Sequence, residues 1–309
     1  EELISLYWDF GKYISEKVND SNWGDKIVDK LVEFMKREYP TMRGFNRAGI
    51  YRMKQFYETY KDNKIVAPLV RQISWTHNVM ILGATNSIEE KEFYIKMCIK
   101  NNYSKRELDR QISSGYFHRY MLSDGKANQS LSKTMGEEDY PNTKILDTYS
   151  LEFLDLPNNY SEKDLKKAII SNMRDFILEI GNDFSFVGEE YKVQVGNEDF
   201  YIDLLFYNRT LSCLVAFELK IGKFKPEYIS KMDFYLEALD RQEKKENENP
   251  SVGVILCASK DVQVVEYAMS RSMSPTMVSQ YTLKLIDKKL LEEKLKEIND
   301  IVEENNNKE

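Results

Sequence analysis

The sequence predicts an all-helical N-terminal domain followed by an α/β domain, and three observations carry that reading. Apolar residues over 1–122 recur at helical spacing with few strand signals. Residues 123–144 are polar and rich in Gly, Ser and Asn, without an apolar period, as in a linker or long surface connection. Residues 145–309 mix helical patterns with short, strongly apolar runs. At ~150 residues per domain, a chain of 309 residues holds two domains, each large enough to bury its own core.

Taken in order, Leu6, Phe10, Ile14 and Val18 line one helix, and Ile27, Val28, Leu31, Val32 and Met35 a second. Asn46 is placed to cap a helix running through Met53, Phe56 and Tyr57, with Phe45 and Ile50 as its hydrophobic staple. Ser104 and Glu107 form a capping box for a further helix, stapled by Tyr103 and Leu108. Beyond the linker, a helix over 161–180 starts at Ser161 and stops at Gly181. Residues 199–207 read as a strand with two largely apolar faces, in which Asp203 is the exception. The turn Asn208-Arg209-Thr210 leads to a nearly continuous apolar run over 211–219, a central buried strand. Pro226 opens a helix reaching about residue 245, and Pro250 precedes a buried strand over 252–258, so strand, helix and strand imply a crossover. A charged amphipathic helix over 289–302 offers a surface for self-association as a homo-oligomer, and the last seven residues read as a solvated tail.

Composition excludes several classes. Cys98, Cys213 and Cys257 are odd in number, far apart and set in apolar stretches, which fits buried thiols in a reducing compartment better than a disulfide or zinc site. No basic segment followed by an apolar core opens the chain and no apolar run reaches the ~18 residues of a membrane span, so the expectation is a cytoplasmic protein without a membrane partner. The net charge of -7 argues against a chain-wide basic coat while leaving room for a local basic face. Neither phosphate-loop glycine motif occurs, which removes support for ATP hydrolysis or dinucleotide chemistry. His77 and His118 lack the spacing of a metal site or triad and read as ordinary polar partners.

The chemistry-bearing anomalies are carboxylates in apolar strands. Burial of an unpartnered carboxylate costs several kcal/mol, so Asp203 and Glu218 each demand a partner. Glu218 and Lys220 are two apart and project to one face of their strand. If the turn at 208–210 makes the two strands neighbours, Asp203 lies opposite, and both carboxylates can share a divalent ion with the Leu219 carbonyl as a further oxygen ligand. All-oxygen ligation suits Mg²⁺, with Mn²⁺ as substitute. Lys220 then orients or deprotonates the attacking water, its pKa lowered by neighbouring cations, or offsets charge at phosphorus. The spacing alone does not decide the matter: Glu-x-Lys recurs at Glu89/Lys91, Glu190/Lys192, Glu243/Lys245 and Glu292/Lys294, and a buried Asp203/Lys220 ion pair joining two strands is the other reading.

FYIDLLFYNR and CLVAFELKIGK resemble the core of the PD-(D/E)XK nuclease superfamily, in its YhcG-like bacterial branch. YSEKDLKKAIISNMRDFILEIGNDFSFVG and NPSVGVILCASK are similar to that branch's flanking elements, and YWDFGKYI, GFNRAGIYRMKQFY, ISWTHNVMIL and NNYSKRELDRQI to its helical domain. The resemblance covers nearly the whole chain and implies a nuclease core at 145–309 with a central mixed sheet flanked by helices. It implies metal-dependent phosphodiester cleavage, with Asp203 and Glu218 as metal ligands, Lys220 as the catalytic lysine, and Glu179 as an outer carboxylate holding a metal-bound water or second ion. Two positions depart from the pattern: Ile202 stands at the proline of the superfamily name, and Lys231 where many relatives carry glutamine.

Candidates for nucleic-acid contact follow. Lys223, Lys225 and Lys231 lie near the presumed centre, with Arg209 in the turn. The helix after Asn46 bears Arg47 and Arg52, and the one after Ser104 bears Lys105 and Arg106, so each offers cations to phosphates or, read blandly, is an amphipathic helix with a solvated face. Against a DNA endonuclease stand two other classes: a nuclease-like module that binds nucleic acid or protein without cutting, and a nuclease acting on RNA.

Overall fold

The computed structural model describes residues 2–19, 24–123, 145–270, 272 and 274–306. It divides into two compact units, Glu1–Ile112 and Ser113–Glu309. Of the expected linker, 124–144 lie outside the described residues. The division falls earlier in the chain than the polar stretch because the short helix Tyr116–Leu122 carries Arg119, whose guanidinium is buried among groups of the second unit. Among the described residues, no helix is long and apolar enough to cross a membrane.

The first unit is helical: α1 (Glu2–Asn19), α2 (Gly24–Glu38), α3 (Arg47–Tyr60), α4 (Val66–Leu69), α5 (Trp75–Ala84), α6 (Ile88–Asn101) and α7 (Lys105–Ser113). The start signals act as their chemistry dictates. Asn46 Oδ1 accepts from the Gly49 amide at 2.8 Å, and at α7 the Ser104 amide donates to Glu107 Oε2 at 2.7 Å. The buried stripe of α1 is rotated from the expected one: Ile4, Tyr7, Trp8 and Ile14 are buried, whereas Leu6 and Phe10 are half-buried. Aromatic packing explains the rotation, since Trp8 meets Phe56 edge-on at 5.7 Å and Phe56 meets Trp75 at 5.3 Å. At the crossing of α1 and α3 a Cβ on Gly11 would lie 2.1 Å from the Met53 carbonyl oxygen, so only glycine lets the backbones approach.

The second unit runs α8 (Tyr116–Leu122), β1 (Thr148–Ser150), α9 (Glu162–Ser171), α10 (Met173–Ile180), β2 (Phe184–Val195), β3 (Glu198–Asn208), β4 (Cys213–Lys223), α11 (Glu227–Gln242), β5 (Val252–Ser259), α12 (Val262–Met269), β6 (Thr276–Thr282) and α13 (Lys288–Asn306). Its strands form one mixed sheet of order β1-β6-β5-β4-β3-β2. The β2-β3 and β3-β4 pairs are antiparallel; β4-β5, β5-β6 and β1-β6 are parallel. The parallel β4-β5 pair requires the crossover supplied by α11. Helix α11 covers one face, packing Ile229, Met232 and Leu239 against Ala216, Ile255 and Val278. Phe217, next to Ala216 and so on the opposite face, packs on Phe176 of α10 at 6.0 Å.

The helix expected over 161–180 is two helices. Asn172 leaves helical geometry at φ -116°, ψ 32°, and its side-chain amide donates to the Ala168 carbonyl at 3.0 Å, the local competition by which Asn breaks helices. Ser161 and Asp164 form the capping box of α9. In the last segment α13 extends to Asn306, into what read as a tail, and Leu291 on it is buried against Gly115, so part of its apolar stripe is spent within this unit.

Candidate active site

The site forms where β3 and β4 continue past their recorded pair Leu204↔Phe217, which sets Asp203 across from Glu218. Asp203 Oδ2 accepts the Leu219 amide at 2.9 Å, and Oδ1 lies 3.5 Å from Lys166 Nζ of α9. Glu218 is 2% exposed. Its Oε1 meets Lys231 Nζ at 2.6 Å and Lys220 Nζ at 2.9 Å. Its Oε2 is buried without a hydrogen-bond partner. Lys220 Nζ also donates to Glu162 Oε2 at 3.2 Å and to the Leu219 carbonyl at 3.1 Å, and lies 5.5 Å from the Tyr228 ring centre. The cation beside Asp203 is therefore Lys166, and Lys220 turns to the glutamates.

Those glutamates decide the charge state of Lys220. Burial pulls its pKa down, but contacts with Glu218 and Glu162 outweigh burial and hold the ammonium above the ordinary lysine value. The nearest charged groups of the protein itself are anions, and their effect on Lys220 is upward. Lys231 shows the same balance with Glu218, and Lys166 with Glu190 and Asp203.

Among the described residues no group of three or more His, Cys, Asp or Glu side chains is arranged to hold a metal ion. The oxygen donors at this site are the Asp203 and Glu218 carboxylates and the Leu219 carbonyl. Glu218 Oε2 is the donor atom with nothing to bind, and a buried carboxylate oxygen in that state fits a cation.

Other expected residues lie in other surroundings. Glu179 is fully buried, paired with Arg119 and accepting the Ser150 amide at 2.7 Å, so what was expected to face a metal-bound water faces a guanidinium and a backbone donor. Arg209 sits at the turn end of the β3-β4 hairpin, donating to the Asn182 carbonyl at 2.9 Å. Five residues of strand separate that turn from the Asp203 level, on the order of 17 Å at ~3.3 Å per residue, so Arg209 does not join the site. Lys223 and Lys225 are exposed at the site end of β4, with Asp261 and Glu227 respectively at 3.8 Å. In the first unit Arg47 pairs with Asp29 at 3.2 Å, and Arg52, Lys105 and Arg106 are exposed. His118 is buried with Nε2 3.9 Å from Glu292, and His77 contacts Ser74. All three cysteines are buried free thiols.

The sequence reading missed Lys166, Glu162 and Glu190. Lys166 Nζ meets Glu190 at 2.6 Å, and Glu190 occupies β2 with φ 44°, a left-handed kink in the edge strand. The one available signal was that Glu162 and Lys166 are a helical turn apart and share a face, a pattern too common on solvated helices to single them out.

The six-stranded mixed sheet flanked by helices, which follows a helical N-terminal region, resembles the PD-(D/E)XK endonuclease fold. Residues 142–296 match the model of the YhcG PDDEXK nuclease domain, and residues 1–119 that of the DUF1016 N-terminal domain. The chain belongs to the YhcG family. It is 34% identical over 227 residues to "Putative nuclease YhcG" of Escherichia coli strain K12, an alignment covering 73% of this chain and 60% of that one. The chain thus spans less than two thirds of that relative's length. Among solved structures it is similar to a repair endonuclease from Pyrococcus abyssi (14% identity, TM-score 0.28, 42% of this chain and 50% of that one). It is also similar to EndoMS in complex with double-stranded DNA (15% identity, TM-score 0.28, 41% of this chain and 45% of that one).

Proposed function

We propose that the chain is a Mg²⁺-dependent endonuclease that hydrolyses DNA phosphodiester bonds at Asp203, Glu218 and Lys220. The observation that carries this reading is the orphaned Glu218 Oε2, buried beside Asp203 in a chain of a nuclease family. In this assignment Asp203, Glu218 and the Leu219 carbonyl hold the ion, which when bound supplies Lewis-acid polarisation of the phosphodiester and a water of lowered pKa.

The protein's own groups do the rest. The Leu219 amide holds Asp203 through Oδ2, while Oδ1 faces Lys166 at 3.5 Å. The Glu218 and Glu162 carboxylates favour the charged form of Lys220, which suits orienting a water by N–H donation and offsetting negative charge at phosphorus. Glu162 aims Lys220, and the Tyr228 ring beneath the ammonium restricts its swing. Lys223 and Lys225 are assigned to phosphates flanking the cut, and Arg47, Arg52, Lys105 and Arg106 of the helical unit to the nucleic-acid backbone. Glu179 is assigned a positioning role, holding Arg119 and the end of the edge strand β1 rather than a second ion.

The test incubates supercoiled, linear and branched DNA and structured RNA with Mg²⁺ or Mn²⁺ and the wild type, Asp203→Ala or Lys220→Ala. Cleavage of DNA by the wild type alone supports the assignment. Equal behaviour of all three proteins removes the catalytic assignment, and cleavage confined to RNA removes the substrate.

A further inference from the structure

We propose that Lys231 is a tethered counter-ion of Glu218 that gives way to a divalent cation and passes to a phosphate of the nucleic acid, so that metal and nucleic acid bind cooperatively. The inference rests on the assignment of Asp203 and Glu218 as metal ligands.

Three lysines face the two carboxylates, and their surroundings separate their roles. The Lys220 side chain is 12% exposed and holds Glu162 at 3.2 Å besides Glu218, so it remains anchored whatever occupies Glu218. Lys166 lies 3.5 Å from Asp203 but 2.6 Å from Glu190, a nearer carboxylate that retains it. Lys231 differs on both counts. Its side chain is 47% exposed, and Glu218, at 2.6 Å, is its one carboxylate partner among the described residues. Its other neighbour is the Tyr235 ring, 5.2 Å away.

Glu218 is shared between Lys220 and Lys231 through Oε1, while the buried Oε2 has no hydrogen-bond partner. Lys231 loses its counter-charge once a divalent cation draws on that carboxylate, and like-charge repulsion at this range acts against its remaining there. The flexible lysine stem on a half-exposed helix face lets the ammonium swing outward. The segment leading into α11 carries Lys223 and Lys225, 60% and 62% exposed, so the freed ammonium joins a short basic stretch suited to phosphates. Linkage makes the effect reciprocal: a phosphate that holds Lys231 leaves Glu218 open to the cation, and each ligand tightens the other by the same factor.

The experiment titrates Ca²⁺ calorimetrically into the full chain with and without a duplex oligonucleotide, for wild type, Lys231→Met and Lys231→Arg, with thermal melts to verify folding. Lys231→Met is expected to bind Ca²⁺ roughly tenfold more tightly without DNA, to bind the duplex roughly tenfold more weakly in Ca²⁺, and to lose the mutual enhancement. Lys231→Arg retains the wild-type pattern. Unchanged or weaker Ca²⁺ binding by Lys231→Met, or undiminished enhancement, overturns the proposal. Asp203→Asn separates the two assignments. If it binds Ca²⁺ as the wild type does, the metal site itself is wrong and Lys231 falls with it; if it loses Ca²⁺ while Lys231→Met behaves as wild type, only the Lys231 inference fails.

Discussion

Arg119 and Glu179 show how a residue can be functional in the fold without touching the reaction. Both are essentially fully buried, and the Ser114 carbonyl and Ser150 amide complete their hydrogen bonds. Removing one partner of such a pair leaves an uncompensated charge, which costs ~3–5 kcal/mol. Arg119→Met is therefore expected to lower the urea midpoint sharply, and adding Glu179→Gln to recover part of the loss. A single substitution no more harmful than the double one would show that the pair carries no buried charge. The cysteines offer a second residue-scale test. Burial pushes the Cys98 and Cys213 thiols up to about 12 and the Cys257 thiol up to about 11. A thiol reagent at neutral pH is expected to label none of them in the folded protein and all three in denaturant, and fast native labelling of any one contradicts its burial.

Elements whose signals are local were legible in the sequence: Asn46, Ser104 and Ser161 begin helices because their side chains answer nearby amides. Asp203 and Glu218 stood out because a carboxylate in an apolar strand needs a partner wherever the strand goes. The partners themselves were not legible. Lys166 and Glu162 reach the centre from a helix far along the chain, and nothing in their own neighbourhoods distinguishes them from surface charges, while Lys231 stood out as a phosphate contact and not as a partner of Glu218. The rotated stripe of α1 was hidden for a related reason, since it depends on aromatic rings of α3 and α5. That crossing yields a prediction: Gly11→Ala forces α1 from α3, because a Cβ there meets the Met53 carbonyl oxygen at 2.1 Å. Overpacking of this kind costs about 1–3 kcal/mol, read as a fall in the thermal midpoint. Asn46→Ala removes only a cap, worth about 1 kcal/mol. An Asn46→Ala loss as large as that of Gly11→Ala would mean that the backbones are not in contact.

Across the whole molecule, the buried titratable groups bias stability towards one side of the pH scale. Lys166, Lys220 and Lys231 have folded pKa values raised above 10.5. Stability from a raised group is fully present below the unfolded value and is lost as pH rises through the folded one, so these lysines contribute uniformly through neutrality and fade only above about pH 10.5. Buried Tyr60, Tyr149 and Tyr281 act in the same direction, because burial raises each phenol above 10.0 while the unfolded chain ionises normally. The thiols begin the decline earlier, from their ordinary value of 9.0. On the acid side, Glu190 is lowered by Lys166, and its contribution is present above 4.5 and lost as pH falls through the folded value, but the group is exposed and screened. The denaturation midpoint should therefore be flat from about pH 6 to 8, fall from about pH 9, and steepen beyond 10. Phenolate absorbance provides the independent readout. The three buried phenols are expected to appear as phenolate together, as the protein unfolds. A single smooth titration near pH 10 with the fold intact would show that those three phenols are open to water.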